Sequence, residues 1–184
     1  MLAQIHQQSS PERRHIVDAF PVPVCRDIRI RRCRIYRGQA FHGFCASKKG
    51  SFFGLKVCLV VTESGEPVEM LLTPGSTADI TALRSMDLNP PPESTLFGEG
   101  GFLDTEFEAA LREQAEVNLV VPRRATMKEQ LDDCLEYVCR SCRKRVEPPF
   151  SLLAERLARS IHAVRPRGFA LKVMLTVLAF SILG

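Results

Sequence analysis

The chain has 184 residues, of which 45% are hydrophobic, and it carries a formal net charge of +4. This length allows one domain with a substantial core and excludes two full-sized ones. We therefore expect a single domain over residues 1–184, with residues 1–14 poorly ordered and residues 168–183 forming a carboxyl-terminal core helix.

The positive charge is concentrated in one stretch. Between Arg26 and Lys56, nine basic residues stand against the single acid Asp27. They are Arg26, Arg29, Arg31, Arg32, Arg34, Arg37, Lys48, Lys49 and Lys56. This concentration favours a polyanion as partner, because each cation that meets a phosphate releases condensed counterions. The alternative is a solvated basic loop, which is the commoner meaning of a charge run.

The cysteines and the two ends of the chain indicate the compartment. Seven cysteines are an odd number, and the first 17 residues lack the long apolar segment of a secretory signal. Both features favour a reducing cytosol with free thiols. The apolar segment Phe169–Leu183 contains Lys172 and is shorter than the roughly 20 residues that span a bilayer. We expect a cytoplasmic protein without a membrane partner.

The first half of the chain predicts strands. His15–Phe20 is a short strand that places Asp18 among apolar neighbours, where a carboxylate is costly unless it is paired, metal-bound or near the strand end. Phe52–Thr62 is apolar on both alternating faces, which predicts a central strand covered on both sides. The turn Glu63–Glu66 and the alternating segment Val68–Leu72 complete a β-hairpin.

The second half predicts helices around two short strands. The predicted elements are a helix over Thr77–Met86, a strand over Thr95–Gly98, a helix over Thr105–Ala115, a strand over Val117–Val121 and helices over Glu129–Val146, Phe150–Arg159 and Phe169–Leu183. Thr105 and Glu108 have capping-box spacing. Pro148 and Pro149 are expected to break the long helix or restart it. This order of elements predicts an α/β fold, a mixed sheet covered by helices on its faces.

Three acids, Asp18, Glu99 and Glu147, lie at the edges of predicted elements within distinctive blocks of sequence. The blocks are DAFPVPVCRDIRIRRCRIYRG, ASKKGSFFGLKVCLVVTESGEPVEMLLTPGS, LFGEGGFLD, RKRVEPPFSLL and SIHAVRPRGFALKVMLTVLAFSI. From about Val17 onward, this ordered set resembles the bacterial DDE-type insertion-sequence transposases of the 982 family. The resemblance implies an RNase H-like fold, metal-dependent DNA strand cleavage and strand transfer, a homo-oligomer, and transposon ends and target DNA as partners.

The same resemblance assigns roles to residues. Asp18, Glu99 and Glu147 correspond to the catalytic and metal-binding acids, and Arg143 matches an Arg four residues before the third acid. Two ions of Mg²⁺ or Mn²⁺ suit such a set, because hard divalent cations take carboxylate oxygens. Candidates for phosphate contacts, which position DNA without reading its sequence, are Arg29, Arg31, Arg32, Arg34, Arg37, Lys48, Lys49, Lys56 and Arg143.

The chain departs from the family pattern in three ways. Glu99 stands where the family has Asp, and the extra methylene predicts impaired metal geometry. Pro148 disfavours a helical conformation at Glu147, which is expected to sit at a cap position. Family members also carry an additional amino-terminal region with a helical DNA-binding part, which we expect to be missing here.

Other interpretations remain beside this one. The main alternative is a catalytically inactive, truncated remnant that only binds DNA, and a host RNase H-like nuclease of another family is a third. Asp79 also matches a family Asp, but a helix cap or first-turn role explains it. Cys139 and Cys142 have no second pair of zinc ligands and are interpreted as core residues, and His162 as structural.

Overall fold

Within the described residues 12–46, 49–160 and 163–183 of the computed structural model, six strands form one curled mixed sheet. The strands are β1 (Arg14–Pro23), β2 (His42–Cys45), β3 (Gly50–Thr62), β4 (Pro67–Pro74), β5 (Thr95–Phe97) and β6 (Asn118–Val120). Antiparallel partners of β3 are β1, β4 and, near its start, β2. Beyond β1, β5 and then β6 continue the sheet in parallel. The main strand order is therefore β4-β3-β1-β5-β6.

Helices cover both faces of this sheet. They are α1 (Asp79–Arg84), α2 (Thr105–Ala115), α3 (Asp133–Ser160) and α4 (Pro166–Leu183), with short 3-10 helices at Asp27–Arg32, Gln39–Phe41 and Gly100–Phe102. One apolar core joins the sheet to α3 and α4, and a second joins it to α1 and α2. The predicted mixed α/β architecture is thus confirmed.

The central strand β3 is buried on both faces. Leu55, Val57, Leu59 and Val61 belong to the core under α3 and α4. Cys58 and Val60 belong to the core under α1 and α2. Successive side chains of a strand point to opposite faces, so a strand covered on both faces needs apolar residues at nearly every position. The predicted central strand covered on both sides is confirmed.

The helix α2 has the predicted bounds, but its cap differs from the prediction. Asp104 is the N-cap, and its carboxylate accepts a hydrogen bond from the backbone N–H of Phe107 at 3.0 Å. The capping box from Thr105 to Glu108 is therefore wrong. Glu108 is instead held by Arg123 through two hydrogen bonds of 2.7 and 2.6 Å, both groups being largely buried.

Pro148 and Pro149 lie inside the continuous helix α3, so the predicted break is wrong. A proline within a helix removes a hydrogen bond and costs about 3 kcal/mol. The apolar side of α3 offsets this cost, because Val146 and Phe150 on either side of the prolines are buried in the core, as is Leu153. Most helical stability in proteins comes from such packing.

The helix α4 begins at Pro166, where a proline is favourable, and buries one side. Phe169, Val173 and Val177 are buried in the core. Its other side exposes Leu171, Met174 and Leu175.

Three further observations concern the remaining predictions. Among the described residues, no helix is long and apolar enough to cross a membrane. Cys139 and Cys142 are buried in the core, as predicted. Lys48 and His162 lie outside the described residues, and so do residues 1–11. Within the segment expected to be poorly ordered, Arg14 already pairs with Thr95 as the first residue of β1.

Candidate active site and basic surface

Asp18 on β1 and Glu99, two residues after the end of β5, lie at corresponding positions along two neighbouring parallel strands. Ile16 of β1 pairs with Phe97 of β5. Asp18 comes two residues after Ile16, and Glu99 comes two residues after Phe97. Matched positions of parallel strands share one end of the sheet. Residues two apart on a strand share a face, so Asp18 shares the face of Ile16 and Phe20, which packs beneath α3.

Asp18 is partly buried and poorly compensated. The backbone N–H of Ala19 donates a 2.7 Å hydrogen bond to its Oδ1 atom. Burial nevertheless raises the pKa of Asp18 to about 6 from its usual 3.8, and the negative charges of Asp79 and Glu147 contribute in the same direction. The Ala19 hydrogen bond and Arg143 oppose this rise. A perturbed carboxyl among other titratable groups is typical of a functional site.

Arg143 and Glu147 reach the same place from α3, one helical turn apart. Arg143 forms an ion pair with Glu99, and its Nη2 atom lies 4.0 Å from Oε1 of Glu147. It also interacts electrostatically with Asp18. The fold therefore brings together the three acids predicted from sequence, with one guanidinium among them.

A fourth acid, Asp79, belongs to this group. It lies in the first turn of α1, as predicted, and its Oδ1 atom accepts a 2.8 Å hydrogen bond from Nζ of Lys56. That ammonium also donates to the carbonyl oxygen of Thr77 at 2.8 Å. A Cβ atom on Gly101 would lie 2.6 Å from Oδ2 of Asp79. Glycine at 101 therefore permits the turn after Glu99 to approach Asp79 closely.

We call these six side chains the acid cluster: Asp18, Asp79, Glu99 and Glu147 with Arg143 and Lys56. Four carboxylates against two cations leave an excess of negative charge at one end of the sheet. Their oxygens are the ligand type that Mg²⁺ and Mn²⁺ prefer. In the described part of the chain, however, no group of three or more Asp, Glu, His or Cys side chains is arranged to hold a metal ion. The donor chemistry fits a divalent cation, whereas Arg143 is paired with two of the donors.

The basic residues predicted to contact phosphate divide into two groups. Arg29, Arg31, Arg32, Arg34 and Arg37 are exposed between β1 and β2, and we call these five the basic loop. Lys49 is exposed in the turn before β3. Lys56 and Arg143 lie apart from them in the acid cluster, where the Lys56 side chain is only 12% exposed.

Sequence reasoning left Asp79 and Lys56 out of the metal-binding set, although one signal pointed to them. Lys56 is the single charged residue in the apolar run Phe52–Val61. A buried ammonium requires a carboxylate partner, and Asp79 follows β4 closely enough to supply it. The buried pair of Glu108 and Arg123 was also missed, because these residues are far apart in sequence and each resembles an ordinary surface charge.

One of the comparisons with known proteins identifies the family of the chain. The family described as "Transposase DDE domain" matches residues 8–163 of the chain. The chain belongs to this family of DDE transposase domains. No curated protein and no solved structure matches the chain.

Proposed function

We propose that this chain is the catalytic portion of an insertion-sequence transposase of the 982 family, cleaving and joining DNA strands. The observation that carries the proposal is the convergence of Asp18, Glu99 and Glu147 at one end of the parallel strands. The strand order β4-β3-β1-β5-β6, with the first three antiparallel and the last two parallel to β1, supports an RNase H-like fold.

The carboxylates of Asp18, Glu99 and Glu147 would hold two Mg²⁺ or Mn²⁺ ions. Such ions activate the attacking oxygen and stabilise the leaving oxygen in phosphodiester chemistry. Asp18 is suited to anchor a cation because its ionised form is costly in the metal-free fold. Arg143 pairs with Glu99 and lies close to Glu147, and a bound cation would take the place of its guanidinium.

The basic loop would hold the DNA. Its five guanidinium groups are exposed, and none forms an ion pair within the part of the chain that the structure describes. Free guanidinium groups suit phosphate oxygens, which accept bidentate hydrogen bonds. The proposed partners are transposon ends, target DNA and further copies of the chain, and the proposed location is the cytoplasm.

The ion pairs of Arg143 favour one alternative, a remnant that binds DNA without chemistry. If Arg143 stays paired with Glu99 and Glu147, the acid cluster is neutralised in part and holds no metal. Glu99 adds to this concern, since its side chain is one methylene longer than Asp, and a metal pair tolerates displacement poorly. Both functions include DNA binding, so they differ only in whether the chain cleaves DNA in a metal-dependent reaction.

A cleavage assay with three proteins separates them. The native chain, Glu99→Asp and Asp18→Asn are incubated with labelled transposon-end DNA in Mg²⁺ or Mn²⁺. We expect weak metal-dependent nicking by the native chain, stronger nicking by Glu99→Asp and a loss of about a thousandfold or more in Asp18→Asn. Binding of the same DNA, measured in parallel, should be retained by all three.

Two outcomes would contradict a working site. Absence of product from both the native chain and Glu99→Asp, with DNA still bound, would establish the remnant. Equal nicking by Asp18→Asn would remove the acid cluster from the chemistry.

A further inference from the structure

A large cavity among the described residues is lined mainly by the basic loop and lies apart from the acid cluster. Its volume is about 830 Å³, which is within the range of about 300–1,000 Å³ typical of small-molecule pockets. Four arginines of the basic loop line it, Arg31, Arg32, Arg34 and Arg37, together with Tyr36 and His42. None of its lining residues is acidic.

The floor of this cavity is aromatic and held in place. The Tyr36 ring packs on Phe41 at a centroid distance of 4.7 Å and edge-on against Phe169 at 5.9 Å. Its hydroxyl donates a 3.2 Å hydrogen bond to the carbonyl oxygen of Pro166. His42 packs edge-on against Phe53 at 4.9 Å and is exposed. The rings are therefore positioned by contacts with the 3-10 helix Gln39–Phe41, β3 and α4.

We propose that this cavity binds one unpaired nucleotide of the DNA strand on which the acid cluster acts. This inference rests on the proposed function, because it takes DNA as the substrate. Guanidinium groups around an aromatic floor are the two parts of a single-strand site, since the arginines meet phosphates and the rings stack on a base. A duplex contacted only through its backbone requires no concavity and no rings.

The distance between the two sites supports one strand reaching both. Leu59 of β3 pairs with Asp18, and Phe53, which lines the cavity, lies six residues earlier on β3. At about 3.3 Å per residue, this separation is about 20 Å. A DNA strand carries one phosphate about every 3.4 Å, so about six nucleotides cover that distance. The unpaired nucleotide would therefore lie about one half-turn of duplex from the cleaved bond.

The test compares three duplexes of equal length and three variants, two of which are a matched pair of arginine substitutions. The duplexes are blunt and fully paired, fully paired with one extrahelical adenine, and fully paired with an extrahelical abasic nucleotide at that position. Binding to the full chain is measured by fluorescence anisotropy at fixed salt. The abasic probe keeps the phosphate and sugar but removes the base, so it isolates the contribution of stacking.

We expect the extrahelical adenine to bind about fivefold or more tightly than the abasic nucleotide, within the range of about 5- to 150-fold that stacking of one base supplies. His42→Ala should remove most of this preference. Arg34→Gln removes a phosphate contact that both extrahelical probes make, so it should weaken those two more than the blunt duplex and keep the preference. Arg29→Gln is the control, because Arg29 is an exposed arginine of the same loop that does not line the cavity. It should weaken all three duplexes equally and keep the preference. Thermal unfolding confirms that each variant folds.

The outcomes distinguish this inference from the function on which it rests. Equal binding of the adenine and abasic probes, with the blunt duplex also bound, would overturn the nucleotide site and leave the DNA-binding function standing. Absence of binding to every duplex at low salt would overturn both. Competition by free deoxyadenosine monophosphate at micromolar concentration, with no preference among the duplexes, would assign the cavity to a free nucleotide and overturn the inference.

Discussion

The acid cluster and the basic loop use charge in opposite ways. The acid cluster gathers cations and carboxylates from β1, β3, α1, α3 and the turn after β5. Asp18, Lys56, Asp79 and Arg143 are at least partly buried, as the 2.8 Å bond from Lys56 to Asp79 illustrates, whereas Glu99 and Glu147 are exposed. In the basic loop, five arginines from one segment are exposed and form no ion pairs within the described residues. Removing one partner of a buried ion pair destabilises the fold, because the other charge is left buried and unpaired. Exposed charges contribute little to stability. The first region is therefore shaped by the fold, and the second is available to a ligand.

The largest expected effect comes from removing the charge of the basic loop. Replacing all five arginines by Gln should lower DNA affinity by about a hundredfold or more near 0.1 M salt, because each lost phosphate contact removes counterion release. The slope of log K against log salt should become shallower by up to about 4.5. Anisotropy titrations at several salt concentrations measure both quantities.

A single exposed arginine elsewhere controls for net charge. Arg112 lies on α2 and donates a hydrogen bond to Asn118. Arg112→Gln should leave the slope within about one of the native value. If the five-arginine variant retained the native slope, the basic loop would not be the DNA-binding surface.

The second expected effect concerns the pH dependence of stability at Asp18. Its pKa is raised to about 6 in the fold from 3.8, so the folded state binds more protons than the unfolded state between these values. Stability from this group is present at low pH and is lost as the pH rises from about 4 to about 6. Asp18→Asn has no such loss, and without divalent ions it should be more stable than the native chain above pH 6. The gain should be about 2–3 kcal/mol.

Denaturant unfolding at pH 4 and pH 7.5 measures this difference. The two chains should have nearly equal stability at pH 4 and differ at pH 7.5. Asp133→Asn, at an exposed acid in the first turn of α3, removes one negative charge without the burial and should bring no gain. Equal stability of native and Asp18→Asn chains at both pH values would contradict a costly carboxylate.

The two regions also differ in how much of them could be predicted from sequence. Periodicity predicted β3 and α2 because a strand buried on both faces and an amphipathic helix have distinct patterns. The basic loop was visible as composition, and the three acids of the cluster followed from the resemblance to a transposase family. The ion pairs of the cluster did not follow from periodicity, since Lys56–Asp79 and Arg143–Glu99 join positions 23 and 44 residues apart. The only signal was the lone charge of Lys56 in an apolar run, which requires a carboxylate partner.

The prolines of α3 show that local sequence can also predict a feature that the fold does not have. The local chemistry of Pro148 predicts a break in the helix. This prediction was wrong because Val146 before the prolines and Phe150 after them are buried in the core and hold the helix in place. The energy of that burial depends on residues of β1 and β3 that sequence reading does not place against α3. The 3-10 helix Asp27–Arg32 was missed for a related reason, because a run dominated by arginine carries no periodic signal.

The smallest expected effect is on the free energy of unfolding when one arginine from each region is replaced. Arg143→Gln leaves Glu99 and Glu147 without their shared cation and should lower the free energy of unfolding by about 1 kcal/mol, since both carboxylates are largely exposed and screened. Arg34→Gln removes an exposed, unpaired charge and should change it by less than about 0.5 kcal/mol. Adding Mg²⁺ should stabilise Arg143→Gln more than the native chain, because a cation that binds only the folded state adds stability by mass action and no longer competes with the guanidinium. Thermal unfolding with and without Mg²⁺ measures the comparison, and an equal Mg²⁺ response in all three proteins would mean that Arg143 does not occupy the place of a metal.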